Sequence, residues 1–483
     1  MSRSANESDF RVGLEPLDAE VDADLEVTGE VPTWLTGTLV RNGAARWTAR
    51  PGGQGQRLRH WFDGLAMLHR FAFRGGGVRY SNRYLRSRAY EHAVEHGRIG
   101  YTEFGTVPRR TPLQRLRELT SPPVFGNNAS VNVMRLGERY VALTESPDVV
   151  PFDPVTLATG EPLSYADDVP GVVTPVHFHA DADRGVLVNY TVEYGRTSAY
   201  HLYELPDPAA GAPTRRLVAT VPVDRPSYMH TFSVTQRYVV LAEYPYVADP
   251  LALLLGRAPV DAYRWRPERG TRFTVVDRAS GAVVARPVSD ATFCWHQVGA
   301  TEDGDALLLD LPVMEGGRAM RQFLLSELQG DGVRAPAGEL RRFRVPLDGG
   351  PVTHRLLSAT PIEFPRTADE RVGAVVRRVY GVSSAESLST SFADRLVEVD
   401  VETGAARSWS QPGCWPGEPV HVADPGSRGP DADAVLLSLV LDARARRSFL
   451  LVLDAATFTE RARAQVPHAI PLGFHGQYFP ELG

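Results

Sequence analysis

Four of the 13 histidines sit where a metal could use them. His177 lies in Thr174-Pro-Val-His-Phe-His179, ahead of Asp181 and a turn at Gly185. His230 follows Tyr228-Met229 and precedes Thr231-Phe-Ser-Val-Thr235. His296 stands in Cys294-Trp-His296, with Glu302 and Asp303 just beyond, and His475 in Pro471-Leu-Gly-Phe-His475-Gly476. Neutral imidazole suits iron, zinc and copper. A lone histidine is more often a satisfied core residue than a ligand. The weight therefore falls on the four together, separated by 53, 66 and 179 residues.

The segments that must position them read as short strands. Tyr140–Thr144, Gly185–Asn189, Tyr238–Ala242 and Ala434–Leu439 are rich in Val, Leu and Tyr, and turn residues separate them. With 43 Gly and 37 Pro, the chain turns often. Helical periodicity is scarce, and Ala89–Glu95 and Leu113–Leu119 are its best instances. Many strands without long helices fit a sandwich, a barrel or a propeller, and 483 residues favour the propeller. Sequence repeats and a WD signature are missing, so the blades would be degenerate. No low-complexity linker divides the chain. A single domain over residues 1–483 is expected, with Gly330–Gly338 and Asp424–Asp433 as surface loops. Seven blades would take about 69 residues each, so the histidine intervals approximate one, one and three blades. Innermost strands line the channel of a propeller, and residues at such intervals can meet at its axis.

Composition narrows the function. Lys plus Arg is 52 against 58 Asp plus Glu, a net charge of -6. That balance argues against a nucleic-acid partner. Two cysteines, Cys294 and Cys414, build neither a disulfide framework nor a zinc ribbon and suit a reducing cytoplasm. Met1–Phe10 is polar, without the basic and apolar regions of a secretory signal. No run approaches the roughly 18 apolar residues of a membrane span. Apolar islands are short, Leu251-Ala-Leu-Leu-Leu255 among the longest.

The flanks of the four histidines, together with other motifs along nearly the whole chain, resemble the carotenoid cleavage oxygenase family. The likeness begins at Gly29-Glu-Val-Pro-Thr-Trp34-Leu-Thr-Gly37-Thr-Leu-Val-Arg41-Asn42-Gly43 and continues at His60-Trp-Phe62-Asp63-Gly64-Leu-Ala-Met-Leu-His69. Thr102-Glu-Phe-Gly-Thr106, Asp153-Pro-Val-Thr-Leu-Ala-Thr159 and Phe474-His475-Gly476 complete it. The resemblance implies an all-β, seven-bladed propeller capped by a helical and loop dome. It implies Fe(2+) on His177, His230, His296 and His475, with Glu145, Glu363 and Glu418 behind three of them.

Such a set has a chemical logic. Four neutral imidazoles leave the ion's charge uncancelled and, on an octahedral metal, leave two positions open. A glutamate behind a ligand fixes its tautomer, and its loss typically costs about 10–100-fold in affinity or activity. On this reading Glu418→Ala weakens activity while the fold survives. The implied reaction is cleavage of a carotenoid or apocarotenoid double bond by O2 to aldehydes, with the central 15,15′ bond as the first expectation. Stilbene cleavage is a second enzyme reading, disfavoured because no lysine lies near Glu145. Retinoid isomerohydrolysis is a third, disfavoured by the lack of a cysteine in Val107–Pro112. A propeller that only binds metal or ligand is the non-enzymatic alternative.

A polyene must be held by apolar area, at about 25 cal/mol per Å². Phe62, Phe104, Tyr228 and Trp295 are the expected tunnel walls, and Thr144 is expected to face the metal cavity beside Glu145. Leu251, Leu253, Leu254 and Leu255 are expected to form a membrane-docking patch beside a basic amphipathic helix from Pro112 to Leu119. The chain is then cytoplasmic and peripheral on the inner face of the membrane, with no protein partner.

Overall fold

The computed structural model describes residues 10–111, 126–206, 211–330, 338–385, 392–427 and 433–483. Antiparallel sheets follow one another around an axis as seven blades, as the sequence led us to expect. The second blade is Asn132–Leu136, Arg139–Leu143 and Val150–Phe152. The third runs His179–Asp181, Val186–Glu193, Ser198–Pro206 and Arg216–Val223. The fourth is built on Ser233–Val234, Tyr238–Glu243 and Thr271–Asp277. The fifth and sixth share one 14-residue strand, Thr353–Arg366. Its first part pairs with Gly338–Pro346, and Glu363 and Arg366 pair with Arg378–Ser383.

The first and seventh blades each borrow a strand from the far end of the chain. Gly476–Phe479 pairs with Gly37–Arg46 as an edge of the first blade, placing Gln477 opposite Val40. Glu26–Gly29 pairs with Glu460–Gln465 as the outer edge of the seventh, placing Val27 opposite Ala464. Chain ends therefore interlock across a single seam.

Blades pack face to face through apolar side chains. Leu39, Phe71 and Tyr80 of the first blade meet Val435, Leu450 and Val452 of the seventh. Ala434–Asp442 is buried along almost its whole length. A strand pressed on both faces reads as a continuous apolar run, which is how its sequence reads.

Helix is as sparse as the periodicity predicts. Arg88–His96 covers the expected Ala89–Glu95. Ser87 caps it by accepting from the Tyr90 N–H, and Gly97 ends it in the left-handed conformation. Leu113–Leu119 lies outside the described residues, as do residues 331–337 and 428–432 of the two expected loops. Pro250–Leu254, Pro259–Ala262 and Leu325–Leu328 are short helices of the dome. Among the described residues no helix is long and apolar enough to cross a membrane.

Candidate metal centre and its cavity

Each of the four histidines stands just ahead of a blade's innermost strand. His177 precedes His179–Asp181, His230 precedes Ser233–Val234, His296 precedes Gly299–Asp303, and His475 directly precedes Gly476–Phe479. These are the third, fourth, fifth and first blades. The loops are stitched together. Thr231 donates its hydroxyl to the Trp295 carbonyl at 3.0 Å and accepts from the Gln297 N–H at 2.9 Å. Asn132 holds the Val176 carbonyl at 3.2 Å. The His475 N–H donates to Val131, and its carbonyl accepts from Asn42. Two motif glycines permit this last approach, because a Cβ on Gly43 would stand 2.7 Å from the Gly473 Cα.

The four imidazoles converge so that one ligand atom from each lies within 4.8 Å of all the others. The His177 and His230 Nε2 atoms are 3.2 Å apart, and those of His296 and His475 are 3.1 Å apart. Three outward nitrogens meet carboxylates. His230 Nδ1 is 2.6 Å from Glu145 Oε1, His475 Nδ1 is 2.8 Å from Glu418 Oε1, and His296 Nδ1 is hydrogen-bonded to Glu363 Oε1. A carboxylate takes the N–H, which fixes the proton on Nδ1 and leaves the Nε2 lone pair turned inward. Burial, and then the neighbouring rings, hold His177, His296 and His475 well below the ordinary imidazole range, so they are neutral. Opposed lone pairs at such distances repel, and a cation between them removes the conflict. The donor set thus fits a metal ion. His177 has no carboxylate behind it among the described residues.

The three glutamates come from the remaining blades. Glu145 follows the strand Arg139–Leu143 of the second, Glu363 lies in the strand shared with the sixth, and Glu418 lies between Cys414–Pro416 and Val420–Ala423 of the seventh. Every blade therefore supplies one residue to the axial set. Their settings differ. Glu145 also accepts from the Tyr228 hydroxyl at 2.8 Å. Glu363 is enclosed, and burial pushes its carboxyl up to about 8. Glu418 accepts from Arg41 Nη1 at 2.8 Å and from the Gly476 N–H at 3.1 Å, with Arg366 at 3.5 Å. Arg41 also reaches the Phe474 carbonyl at 2.6 Å. Sequence reasoning quoted Arg41 within a motif without assigning it this contact, and missed Arg366.

One cavity opens on this cluster. Phe62, Phe104, Thr144, Tyr228 and Trp295 all line it, as do His230, His296 and His475. Their rings contact one another: Phe62 with Phe104 at 5.4 Å, Phe104 with Tyr228 at 5.8 Å and Tyr228 with Trp295 at 5.6 Å between centroids. Trp61, Phe323, Phe392 and Phe474 extend the aromatic wall. Polar groups are few. Tyr194 and Tyr263 share a hydrogen bond of 2.6 Å. Glu103 also lines the cavity, and burial, with Asp63 adding to it, pushes its carboxyl well above the ordinary range. Nothing in composition singled out Glu103, although it sits in the quoted motif Thr102–Thr106.

The expected surface patch divides. Leu251, Leu254 and Leu255 are exposed, but Leu253 is buried in the main core and lines the cavity. Leu253 is therefore not a surface residue. Within the helix Pro250–Leu254, 100° per residue turns position 253 to the face opposite 251, 254 and 255.

Comparisons with known proteins agree with this architecture. Residues 14–480 match the family described as retinal pigment epithelial membrane protein. The β,β-carotene 15,15′-dioxygenase of Rattus norvegicus is 30% identical, over 97% of this chain and 90% of that protein. The chloroplastic carotenoid cleavage dioxygenase 8 homolog B of Oryza sativa is 31% identical, over 94% of this chain and 82% of its own. The crystal structure of the cobalt-substituted apocarotenoid oxygenase of Synechocystis superposes with a TM-score of 0.82 at 26% identity, covering 98% of this chain and 100% of that one. With the match running through all seven blades around an axis of four histidines, the chain belongs to the carotenoid cleavage oxygenase family of dioxygenase enzymes.

Proposed function

We propose that the chain holds Fe(2+) on His177, His230, His296 and His475 and cleaves a carbon–carbon double bond of a carotenoid or apocarotenoid with O2 to give two aldehydes. The bond proposed first is the central 15,15′ bond, whose cleavage forms retinal. The observation that carries the reading is a cluster of four converging imidazoles, three of them backed by carboxylates, that opens onto an aromatic-walled cavity. Relatives named as 15,15′-dioxygenases support the choice of bond.

A bound ferrous ion would supply the oxygen chemistry that side chains lack. The protein's own residues do the rest. Glu145, Glu363 and Glu418 hold three rings in the tautomer that faces inward. Phe62, Phe104, Tyr228 and Trp295 contact the polyene and exclude water, contributing about 25 cal/mol per Å² of apolar surface covered. Thr144 contributes one small polar group to the wall.

The deciding assay reconstitutes the protein with Fe(II) and offers β-carotene, an apo-β-carotenal and resveratrol under O2. Products are identified by chromatography and mass. Aldehydes from the polyenes are expected. Cleavage of resveratrol alone would favour the stilbene reading. All three substrates intact with iron bound, or zinc bound in its place, would overturn the oxygenase reading.

The enzyme is proposed to work peripherally on the inner face of a membrane, drawing its substrate from lipid. Leu251, Leu254 and Leu255 face outward from the helix whose Leu253 lines the cavity, so one short element would join bilayer and tunnel. Replacing the three exposed leucines with serine is expected to cut sedimentation with liposomes several-fold. Undiminished sedimentation would remove this helix from the contact.

A further inference from the structure

Among the described residues, Glu103 is the one acidic side chain on the cavity wall that backs no histidine. Glu145 and Glu363 also line the cavity, but each accepts an imidazole N–H. Asp63, whose charge bears on Glu103, already accepts from the Gly105 N–H, the Thr106 hydroxyl and the His60 N–H. No hydrogen bond reaches the Glu103 carboxyl from the described residues, although its backbone N–H is held by Thr106. The space it fills is kept open for it. Gly126 lies alongside, and a Cβ there would meet Glu103 Oε1 at 2.4 Å. Phe104 follows it in sequence, and the cavity wall is mostly apolar.

A polar group left unpaired in an interior costs free energy unless something completes it. A wall built solely for hydrocarbon has no use for such a group. We propose that Glu103 is a specificity residue whose carboxylic acid hydrogen-bonds a hydroxyl or carbonyl oxygen of the substrate, so that the cavity prefers oxygenated polyenes to hydrocarbons of the same skeleton. The inference rests on the polyene-cleaving reading and narrows it. Burial, with Asp63 adding to it, pushes the carboxyl well above the ordinary range and so favours its neutral form. A neutral acid donates to a carbonyl or hydroxyl oxygen and accepts from a hydroxyl. A site that pairs a substrate hydroxyl rejects the analogue lacking it, because the site's own group is then left unpaired.

The test compares kcat/KM for a ring-hydroxylated β-carotene, an apo-β-carotenal and β-carotene itself, in the iron-loaded full chain and in Glu103→Leu and Glu103→Gln. The ratio of oxygenated to hydrocarbon substrate is expected to fall about tenfold or more in Glu103→Leu. Glu103→Gln, whose amide still donates and accepts, should recover most of it. A ratio that Glu103→Leu leaves within twofold of the wild type overturns the inference, as does a Gln variant that falls as far as Leu. A second arm needs neither turnover nor a folded variant: hydroxylated and plain β-carotene compete for the wild-type protein, followed by quenching of tryptophan fluorescence. Preference for the hydroxylated form supports the inference, and equal or reversed preference overturns it. Absence of all cleavage in the first arm would count against the oxygenase reading, while the competition would still decide the role of Glu103.

Discussion

His475→Ala is expected to leave the protein without its metal and to abolish polyene cleavage, a loss well beyond the about 10–100-fold that removal of an outer partner costs. The His475 ring supplies one of four converging donors, and its Nε2 lies 3.1 Å from that of His296. No other described side chain is placed to substitute. The backbone around it is tied to Val131 and Asn42 independently of the ring, so alanine need not disturb the strand that follows. Metal analysis after gel filtration, alongside turnover, reads the result. Full metal occupancy with normal turnover would remove His475 from the centre. Alanine at His177, His230 or His296 should behave alike, since each supplies one of the four converging donors.

The second large effect separates two glutamates that hold ligands in different company. Glu145→Ala removes a partner of His230 and of the Tyr228 hydroxyl. Its cost should appear in activity or metal affinity, about 10–100-fold, with little change in stability. Glu418→Ala removes the same kind of partner from His475 but also strands Arg41, which is itself buried. Leaving a buried charge unpaired destabilises by about 3–5 kcal/mol. Burial already lowers the Arg41 pKa while Glu418 works to raise it. Glu418→Ala should therefore lose activity and also shift its denaturation midpoint, where Glu145→Ala shifts little. Equal midpoints for the two variants would show that Arg41 finds another counterion. From sequence, Glu418→Ala is expected to spare the fold, and the Arg41 contact is what changes that expectation.

Arg41 also shows why some of the centre was legible and some was not. Histidines and glutamates carry their chemistry in their own types, and short local motifs flank each of them. Arg41 and Glu418 are 377 residues apart and meet only because the ring closes. No local pattern encodes a contact made by closure. The strand content, the helix Arg88–His96 and the aromatic walls were readable because periodicity and motif are local. The division of labour among blades was not, since it depends on which strand ends innermost. Leu253 failed for another reason. Four leucines in five residues look alike in composition, and only the helical turn sends one of them inward. Glu103 was overlooked because a glutamate is usually a solvated residue, and only its surroundings make it unusual.

The interlocked seam would give a bound metal a mechanical role. A ring of blades can come apart most easily where its ends meet, at the junction of Gly37–Arg46 with Gly476–Phe479 and of Glu26–Gly29 with Glu460–Gln465. His475 sits at that junction, whereas His177, His230 and His296 belong to the third, fourth and fifth blades, away from it. An ion held by all four is a removable clasp between the joint and the far wall. An ion that binds the closed ring and not the opened one would add to the free energy of closure as its concentration rises above its dissociation constant. A chelator would then loosen the protein first at the seam, with the distant blades following.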